Sequence, residues 1–268
     1  AEIGWNFMGD LSLAEEMIIQ AKKSGASHVK FQFWREENLK KGPWDSDGRR
    51  EIYIAAQLDK SKILKIIELG KIYDVPAFFS VFGTNEAKIL KDLNLDIIKI
   101  PSHEIANIEL VNYCIDNFST VIISGGACTK DELDNVSKLI NQKNSANIIF
   151  MHCVSSYPCP VENINLKRLE YIGKILPKSI LGLSDHTNSI IVPALAYTFG
   201  AKVIEKHFTT DNNLPGRDNK FALLPGQFSQ MVQFHKDAIS SMIDHGINFQ
   251  ESERDTVENY RGRWNQKK

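Results

Sequence analysis

The strongest constraint on the fold is an alternation of apolar β-type runs with stretches of helical spacing. Eight short runs rich in β-branched and aromatic residues recur along the chain: "AEIG" at 1, "HVKFQF" at 28, "PAFFSVF" at 76, "IIKIPS" at 97, "TVIISGG" at 120, "NIIFMHC" at 147, "ILGLSDH" at 180 and "KVIEKHF" at 202. Helical spacing of apolar residues follows each run, in 11–25, 61–74, 84–93, 107–117, 130–141, 163–175, 188–199 and 225–243. Each predicted strand is therefore followed by a predicted helix.

Eight strand–helix units within about 250 residues predict an α/β protein with a single-domain (β/α)8 TIM barrel. Nearly continuous apolar strands also suit a parallel sheet that is covered on its outside. The main rival is a doubly wound open sheet, but the first strand, "EIGWNFMG", lacks the Gly-rich loop that such folds carry. We assign 1–245 to the barrel and 246–268 to a short tail or the start of a linker. The long polar connection 33–50 is predicted to be a lid.

Composition excludes several classes of partner. The net charge is -1, from 32 Lys and Arg against 33 Asp and Glu, so no global positive field attracts nucleic acid or an anionic membrane. No apolar run reaches the roughly 18 residues of a membrane span, and no signal peptide is recognisable, so we expect a cytoplasmic protein. The four cysteines contain no C-x-x-C pair and are predicted to be reduced thiols.

Polar residues gather at the predicted carboxyl ends of the strands, where barrel enzymes have their active sites. In chain order they are Glu2, Lys30, Gln32, Ser80, Lys99, Ser102, Glu104, Ser124, Ser155, Tyr157, Ser184, His186, Glu205 and His207. Side chains alternate along a strand, so members two positions apart, such as Ser184 and His186, share a face. By the same parity Lys206 should face away from the mouth, and Asp185 is better interpreted as a capping group.

This set of residues predicts an anion site beside a metal site. Lys30 and Lys99, with a ring of serines, suit phosphate and carboxylate, and burying both lysines with no anion would be costly. His186 and His207, at equivalent ends of adjacent strands, are a natural pair of ligands for a divalent metal. Two protein ligands leave positions for water or substrate, as a catalytic Lewis acid requires. Singly, each residue also fits a structural role, and Glu205 fits an interior ion pair.

Several blocks resemble the sialic acid synthases (N-acylneuraminate synthases). They are "AEIGWNFMGDLSLAEEMIIQAKKSGASHVKFQ", "HCVSSYPCP", "GLSDHT", "IEKHFT" and "LPGRD", and they span almost the whole chain. The resemblance implies a transferase that condenses phosphoenolpyruvate with the open-chain aldehyde of an N-acylated hexosamine. The products would be a nonulosonic acid, which is a nine-carbon 2-keto acid, and phosphate. It also implies Mn²⁺, or Mg²⁺ or Co²⁺, as cofactor, and a homodimer.

Carried over by position, the resemblance implies roles for individual residues. His186 and His207 would bind the metal. Phosphoenolpyruvate would be held by Lys30, Ser80, Lys99, Ser102, Ser124 and Ser184. The sugar, or the water that attacks C2, would meet Glu2, Gln32, Glu104, Tyr157 and Asp218, and Ser155 is a further substrate-binding candidate. Glu104, Lys99 and Glu2 are the catalytic candidates, with Glu104 orienting or deprotonating the water.

The chain departs from the family pattern at several positions, and these differences bear on which sugar is accepted. "NFMG" at 6–9 stands where N-H-N-G is usual, "SVF" at 80–82 where Thr-Pro-Phe is common, and "SGGA" at 124–127 where Ser-Thr-Gly-Met is common. His103 replaces a Gly, and Arg217 and Asn219 flank Asp218 where Pro and His are frequent. Family members normally continue into an antifreeze-like domain, and "ESERDTVENYRGRWNQKK" resembles only the linker towards it.

Three alternatives remain open at this point. One is another phosphoenolpyruvate-dependent keto-sugar-acid synthase on the same barrel, and another is a barrel that binds sugar or phosphate without turnover. A Schiff-base aldolase is disfavoured, because the sixth strand ends in "MHC" without a lysine. Among nonulosonic acids, the sequence does not choose between sialic, legionaminic and pseudaminic acid.

Overall fold

The computed structural model describes residues 1–143 and 145–264, and its centre is an eight-stranded parallel sheet. The strands are β1 (Glu2–Gly4), β2 (Val29–Phe33), β3 (Ala77–Val81), β4 (Ile97–Ile100), β5 (Thr120–Gly125), β6 (Asn147–Cys153), β7 (Ile180–Asp185) and β8 (Val203–Lys206), paired in chain order. A parallel bridge between Glu2 and His207 joins β1 to the end of β8, and the Phe208 N–H donates to the Glu2 carbonyl at 2.8 Å. The sheet is a nearly closed barrel, so the predicted (β/α)8 fold is confirmed.

Helices connect the strands around the outside. In the described part of the chain they are α1 (Leu11–Lys23), α2 (Arg49–Ala56), α3 (Lys60–Ile72), α4 (Thr84–Asp92), α5 (Ile108–Asn117), α6 (Lys130–Gln142), α7 (Arg168–Ile175), α8 (Val192–Thr198) and α9 (Pro225–Ser241). Helix α2 was not predicted, and it directly follows the polar connection 33–50. Helix α7 begins later than predicted because 161–163 forms a separate 3₁₀ turn.

Local capping fixes where several helices begin. The Asp10 carboxylate accepts the N–H groups of Ser12 and Leu13 at the start of α1, and the Asp59 carboxylate accepts the Lys62 N–H at the start of α3. Thr129 and Glu132 form a reciprocal capping box on α6. These caps satisfy backbone donors that have no partner within the helix, so each strand-to-helix connection has a defined end.

The apolar core lies mainly between the sheet and the helices, and a smaller layer fills the inside of the barrel. Phe31, Phe79 and Ile98 belong to the outer cluster, which packs against α1, α3 and α5. Inside the barrel, near the amino ends of the strands, Phe78, Ile122 and Met151 form a separate apolar cluster. Polar side chains can therefore occupy only the carboxyl end of the interior, as predicted for the mouth.

Beyond α9 the chain is mostly exposed. Residues 242–264 contain a 3₁₀ turn at 251–253 and one π-helical turn at 256–260. The predicted tail, 246–268, thus falls in this region, although 265–268 lie outside the described residues. Within the described ranges no helix combines the length and the apolar character needed to cross a membrane.

Candidate active site

A cavity of about 930 Å³ opens at the carboxyl ends of the strands. Nearly all predicted site residues line it: Glu2, Lys30, Gln32, Ser80, Lys99, Ser102, Glu104, Ser124, Tyr157, Ser184, His186, His207 and Asp218. Ser155 lies just behind the wall, with its Oγ 3.7 Å from the Sγ of Cys153, which does line the cavity. The parallel register brings together side chains that are far apart in sequence. Ser80 pairs with Lys99, and Ser184 pairs with Glu205.

Four buried charges form a continuous chain across the floor of this cavity. Glu2 Oε2 lies 2.8 Å from Lys30 Nζ, Glu205 Oε1 lies 3.5 Å from Lys30 Nζ, and Glu205 Oε2 lies 2.7 Å from Lys99 Nζ. Burial opposes the ionisation of Glu205, but the ammonium groups of Lys30 and Lys99 more than offset it and hold its pKa well below the usual range. The interior ion-pair interpretation of Glu205 is therefore confirmed.

This arrangement corrects one step of the sequence argument. We expected the two buried lysines to require an external anion, and that expectation is wrong because Glu2 and Glu205 supply the counter-charge inside the barrel. The Glu2 carboxylate also accepts a hydrogen bond from Gln32 Nε2 at 2.6 Å. Its carboxylate lines the cavity while it is held by two neighbours, so it is preorganised rather than free to move.

The two imidazoles lie side by side just beyond the ends of β7 and β8 and line the same cavity. The ring centroids of His186 and His207 are 5.3 Å apart. His186 Nδ1 donates to the Val154 carbonyl at 2.9 Å, which leaves Nε2 with its lone pair. Burial lowers the pKa of His186, but its contacts with Cys153 and with the Val154 carbonyl outweigh burial and the net shift is upward.

His207 is held in the neutral form that binds metals. Burial first, and then the nearby His186, lower its pKa well below the ordinary value. Its Nδ1 is buried and has no hydrogen-bond partner among the described residues, and the closest carboxylate oxygen, Oδ2 of Asp218, is 3.6 Å away. A buried imidazole nitrogen without a hydrogen-bond partner is suited to bind a ligand or a metal ion.

These donors fit a divalent metal with an incomplete protein shell. No group of three or more His, Cys, Asp and Glu residues suited to hold a metal exists within 1–143 and 145–264. An ion held by His186 and His207 alone would leave coordination positions open to water and substrate.

Aromatic side chains fix the positions of the imidazoles. The Tyr157 ring centroid is 4.2 Å from that of His186, and the Phe221 centroid is 5.0 Å from that of His207. The guanidinium carbon of Arg217 lies 5.5 Å from the Tyr157 ring centroid. Burial raises the pKa of Tyr157, so its hydroxyl stays a neutral donor at physiological pH.

A second buried ion pair lies behind the imidazoles, on the outer face of β7 and β8. Asp185 and Lys206 are paired in register, and their charged atoms are 2.6 Å apart with almost no side-chain exposure. Lys206 also donates to the carbonyls of Thr187 and Ser189. Asp185 accepts the Thr187 N–H at 2.8 Å. Lys206 thus faces away from the mouth and Asp185 caps a turn, as their parity predicted.

The serine candidates surround the end of β5. The Gly126 N–H donates to Ser102 Oγ at 3.1 Å, and a Cβ at Gly126 would lie 2.7 Å from Ser155 Oγ and 2.8 Å from Ser102 Oγ. Only glycine leaves room for these hydroxyls. Ser124 Oγ is buried, and no hydrogen-bond partner for it exists in the described ranges. Because an unsatisfied buried hydroxyl costs free energy, this group is suited to donate to a bound anion.

Two acidic candidates lie above the floor on short 3₁₀ turns. Asp218 Oδ2 accepts the Trp5 Nε1–H at 2.7 Å, and burial raises the pKa of Asp218 to about 6 in spite of that hydrogen bond. Glu104 lies on the 3₁₀ turn 102–104 that follows β4, half-buried, and Asn107 Nδ2 donates to it at 3.4 Å. Both carboxyl groups line the cavity.

The β2–β3 side of the cavity is aromatic, and sequence reasoning missed most of it. Trp5, Trp34, Tyr53 and Phe82, here called the aromatic wall, all line the cavity. The ring centroids of Trp5 and Tyr53 are 5.0 Å apart, those of Trp34 and Tyr53 are 5.9 Å apart, and those of Trp34 and Phe82 are 5.8 Å apart. Tyr53 comes from the unpredicted helix α2, so the connection 33–50 and its helix do cover part of the mouth.

Glu86 was also missed by the sequence analysis. It lies on α4, only 4% of its surface is exposed, and it lines the cavity. Asn38 Nδ2 donates to its Oε1 at 3.4 Å, and a Cβ at Gly83 would lie 2.7 Å from its Oε2. A signal was present in the sequence, because Glu86 shares the buried face of α4 with Ala87 and Leu90.

Comparisons with known proteins agree with this site. Residues 17–246 match the NeuB family. The chain is 33% identical over 253 residues to the N,N'-diacetyllegionaminic acid synthase of Legionella pneumophila, covering 89% of this chain and 71% of that protein. It is 32% identical over 253 residues to the pseudaminic acid synthase of Helicobacter pylori, covering 90% of this chain and 74% of that protein.

A solved structure extends the likeness to three dimensions. The N-acetylneuraminic acid (sialic acid) synthetase from Leptospira borgpetersenii, in complex with citrate, superimposes with a TM-score of 0.85 at 28% identity. The match covers 99% of this chain and 92% of that one. With a family match over most of its length and with these relatives, the chain belongs to the NeuB family.

Proposed function

We propose that this protein is a phosphoenolpyruvate-dependent nonulosonic acid synthase that uses a divalent metal, Mn²⁺ or else Mg²⁺ or Co²⁺. The observation that carries the proposal is one cavity in which two adjacent imidazoles face a floor of buried lysines and serines. The relatives named as legionaminic, pseudaminic and sialic acid synthases support the reaction class.

Electrostatics support a role for a metal in binding an anionic substrate at this site. Lys30 and Lys99 are balanced by Glu2 and Glu205, so the floor carries no net charge to attract phosphoenolpyruvate. A divalent ion held by His186 and His207 would supply that positive charge and would polarise the aldehyde oxygen of the acceptor. The lysines then act as fixed point charges, already held in place before the substrate arrives.

The hydroxyl groups would orient phosphoenolpyruvate on this floor. The Ser124 hydroxyl has an unused donor, and Ser102 and Ser155 crowd around Gly126 beside it. Ser80 and Ser184 complete the ring from neighbouring strands. Several short donors in fixed positions suit the oxygens of a carboxylate and a phosphate, and they hold the enol carbon in one orientation relative to the aldehyde.

In the proposed condensation, C3 of the enol forms a bond to the aldehyde carbon, and the aldehyde oxygen takes up a proton to become a hydroxyl group. Water adds to C2 and loses one proton. The C2–oxygen bond to phosphate then breaks as the second proton of the water leaves, giving the 2-keto acid and phosphate. Glu104, above the floor, would orient that water and accept its proton. Asp218, whose pKa is raised to about 6, would exchange a proton with the new hydroxyl group at the acceptor carbon.

The decisive experiment combines the protein with Mn²⁺, phosphoenolpyruvate and an N-acylated amino sugar. We expect phosphate and a 2-keto acid to form in equal amounts. Adding a chelator should stop the formation of both products. Turnover only with a phosphorylated pentose or tetrose would instead identify another keto-sugar-acid synthase. Tight binding without product from any acceptor would identify a binding barrel. The predicted homodimer is a separate question, to be measured by sedimentation.

A further inference from the structure

The hydrogen-bonded ladder between β7 and β8 ends just before the two imidazoles. Its last pair is Asp185 with Lys206, and the next residue on each strand is a candidate metal ligand, His186 or His207. Beyond this pair the ladder no longer fixes how far apart the two backbones lie. The spacing of the two rings, whose centroids are 5.3 Å apart, therefore depends on other contacts.

Lys206 supplies such contacts from the outer face of the sheet. Its ammonium group lies 2.6 Å from Asp185 Oδ2 and donates to the carbonyls of Thr187 and Ser189, the latter at 3.1 Å. It also lies 3.3 Å from Thr187 Oγ1. One side chain of β8 thus holds the chain that follows β7 on both sides of His186.

The Thr187 hydroxyl ties the same segment together. It donates to Asp185 Oδ2 at 3.1 Å and accepts the Ser189 N–H at 3.2 Å. Asp185, Thr187 and Lys206, here called the outer cluster, are almost completely buried. Because these charges and this hydroxyl pair with one another in a low dielectric, the backbone on either side of His186 has one defined position.

The outer cluster acts on the cavity only through the backbone. Among the described residues that line the cavity are both imidazoles, but not the three side chains of the outer cluster. A buried ion pair adds little net stability compared with apolar residues of the same size. Stability alone therefore leaves this pair unexplained, whereas a requirement for fixed spacing of the metal ligands accounts for it.

We infer that Lys206 is a positioning residue for the metal site, holding the imidazoles of His186 and His207 at the spacing that one divalent ion requires. Asp185 and Thr187 act with it through the outer cluster. This inference rests on the metal in the proposed function and names residues beyond the ligands on which metal binding depends. Two imidazoles already in place lose little freedom when an ion binds, so affinity is higher.

Charge and position predict opposite results for Lys206→Met. Removing an ammonium group beside His207 makes the surroundings of the metal more negative, so electrostatics alone predict tighter Mn²⁺ binding. Loss of position predicts binding that is weaker by about 10-fold to 100-fold. Titration of chelator-treated protein with Mn²⁺, followed by the electron paramagnetic resonance signal of free Mn²⁺, measures the affinity without turnover. Unchanged or tighter binding overturns the inference.

Two further variants separate position from stability. Lys206→Met combined with Asp185→Asn removes both charges, and its Mn²⁺ affinity should stay about 10-fold to 100-fold below that of the parent. Thr187→Val keeps both charges, removes only the linking hydroxyl and should weaken Mn²⁺ binding about tenfold. Thr187→Ser restores the hydroxyl and should restore the affinity. Parent-like affinity in the double variant or in Thr187→Val contradicts the assignment.

Ser137→Ala is the matched control for the loss of a buried hydroxyl. The Ser137 hydroxyl is buried and donates to the Leu133 carbonyl at 2.7 Å within α6, outside the lining of the cavity. The variant should lower the melting temperature, as Thr187→Val does, and leave Mn²⁺ affinity unchanged. Weaker Mn²⁺ binding in Ser137→Ala would show that lost stability alone reduces the affinity, and would overturn the inference.

Phosphate release separates this inference from the proposed function. Weaker Mn²⁺ binding in the Lys206 and Thr187→Val variants, with no phosphate from any acceptor in the parent, supports the inference and overturns the synthase activity. Phosphate release by the parent, with Mn²⁺ affinity unchanged in those variants, has the opposite meaning. A parent protein that binds no Mn²⁺ overturns the inference.

Discussion

On the β7–β8 side of the cavity the polar groups come from the last residues of the strands, whereas on the β2–β3 side many come from the segments that follow them. Ser184 and Glu205 face each other in register, with His186 and His207 directly beyond. Tyr53 and Glu86, in contrast, are presented by helices α2 and α4. The two sides therefore differ in how freely they can change. Strand ends are fixed by the barrel, while connections can vary in sequence without disturbing it.

The two sides also differ in how their charges are satisfied. Around β7 and β8, buried charges are paired on both faces of the sheet, inside through Glu205 with the lysines and outside through Asp185 with Lys206. The segments that follow the strands on the β2–β3 side contribute four aromatic rings and one weakly paired carboxylate. We therefore expect substitutions near β7 and β8 to affect metal binding or folding, and substitutions near β2 and β3 to affect the choice of acceptor.

His207→Ala should have the largest effect on activity. Removing one of two imidazole ligands should abolish Mn²⁺ binding and lower turnover roughly 10⁴-fold, because the metal supplies several kcal/mol of charge stabilisation. Titration with Mn²⁺ and a phosphate-release assay measure this. The melting temperature should stay close to that of the parent protein, and His245→Ala, an exposed histidine, should leave all three quantities unchanged. Loss of the fold on His207→Ala would mark the residue as structural.

Lys206→Met should have the largest effect on stability. It leaves Asp185 buried without its cation, which costs about 3 to 5 kcal/mol in free energy of unfolding. Adding Asp185→Asn should recover at least half of that loss, because the uncompensated charge is gone. Urea unfolding of the parent, single and double variants measures these differences. A double variant as unstable as the single one would show that hydrogen bonds to Thr187 and Ser189, not the charge pair, dominate.

Asp218 should make stability depend on pH in a defined window. Burial raises its pKa from 3.8 to about 6, so the native protein keeps a proton there that the unfolded chain has already lost. The associated stability is fully present below about pH 4 and is lost as the pH rises through about 6. Asp218→Asn has no such loss. Relative to the parent, it should gain up to about 3 kcal/mol between those limits, measured by urea unfolding in chelator. A pH-independent difference would contradict the raised pKa.

Tyr53→Ala should have the smallest effect and should be confined to the acceptor. Loss of its contacts with Trp5 and Trp34 costs about 0.5 to 1.5 kcal/mol and loosens α2 over the mouth. We expect the KM for the acceptor to rise up to about tenfold, with Mn²⁺ affinity unchanged. Tyr260→Ala, in the exposed chain beyond α9, is the control. A change in Mn²⁺ affinity would show that the two sides of the cavity are not independent.

Much of the β7–β8 side could be predicted because its signals are local. Alternation along a strand assigns Glu205 to the interior and Lys206 to the exterior, and neither assignment requires a distant residue. The predicted cavity residues are brought together by the barrel for the same reason, since nearly all of them lie within a strand or shortly after its end. Which charges pair was not predictable, because Glu205 meets Lys30 and Lys99 across the barrel interior.

The β2–β3 side was harder to predict because its geometry depends on long-range packing. Tyr53 follows a polar connection with no clear periodicity, and at the mouth it packs against Trp5 and Trp34, which are distant in the chain. Helical spacing puts Glu86 on the same face of α4 as Leu90, but its burial at the cavity appears only when α4 packs against the barrel.

The sequence by itself determined the barrel and the residues that end its strands, because the periods of strands and helices and the alternation of side chains are properties of adjacent residues. Only the tertiary structure decided the ion pairing of Glu2 and Glu205 with the lysines, the burial of Glu86 and the aromatic wall. Those features arise where strands and connections that are distant in the chain come together. In the low dielectric of that interior, an unpaired charge or polar group is costly, so the charges pair with one another and the remaining polar groups are suited to bind a ligand.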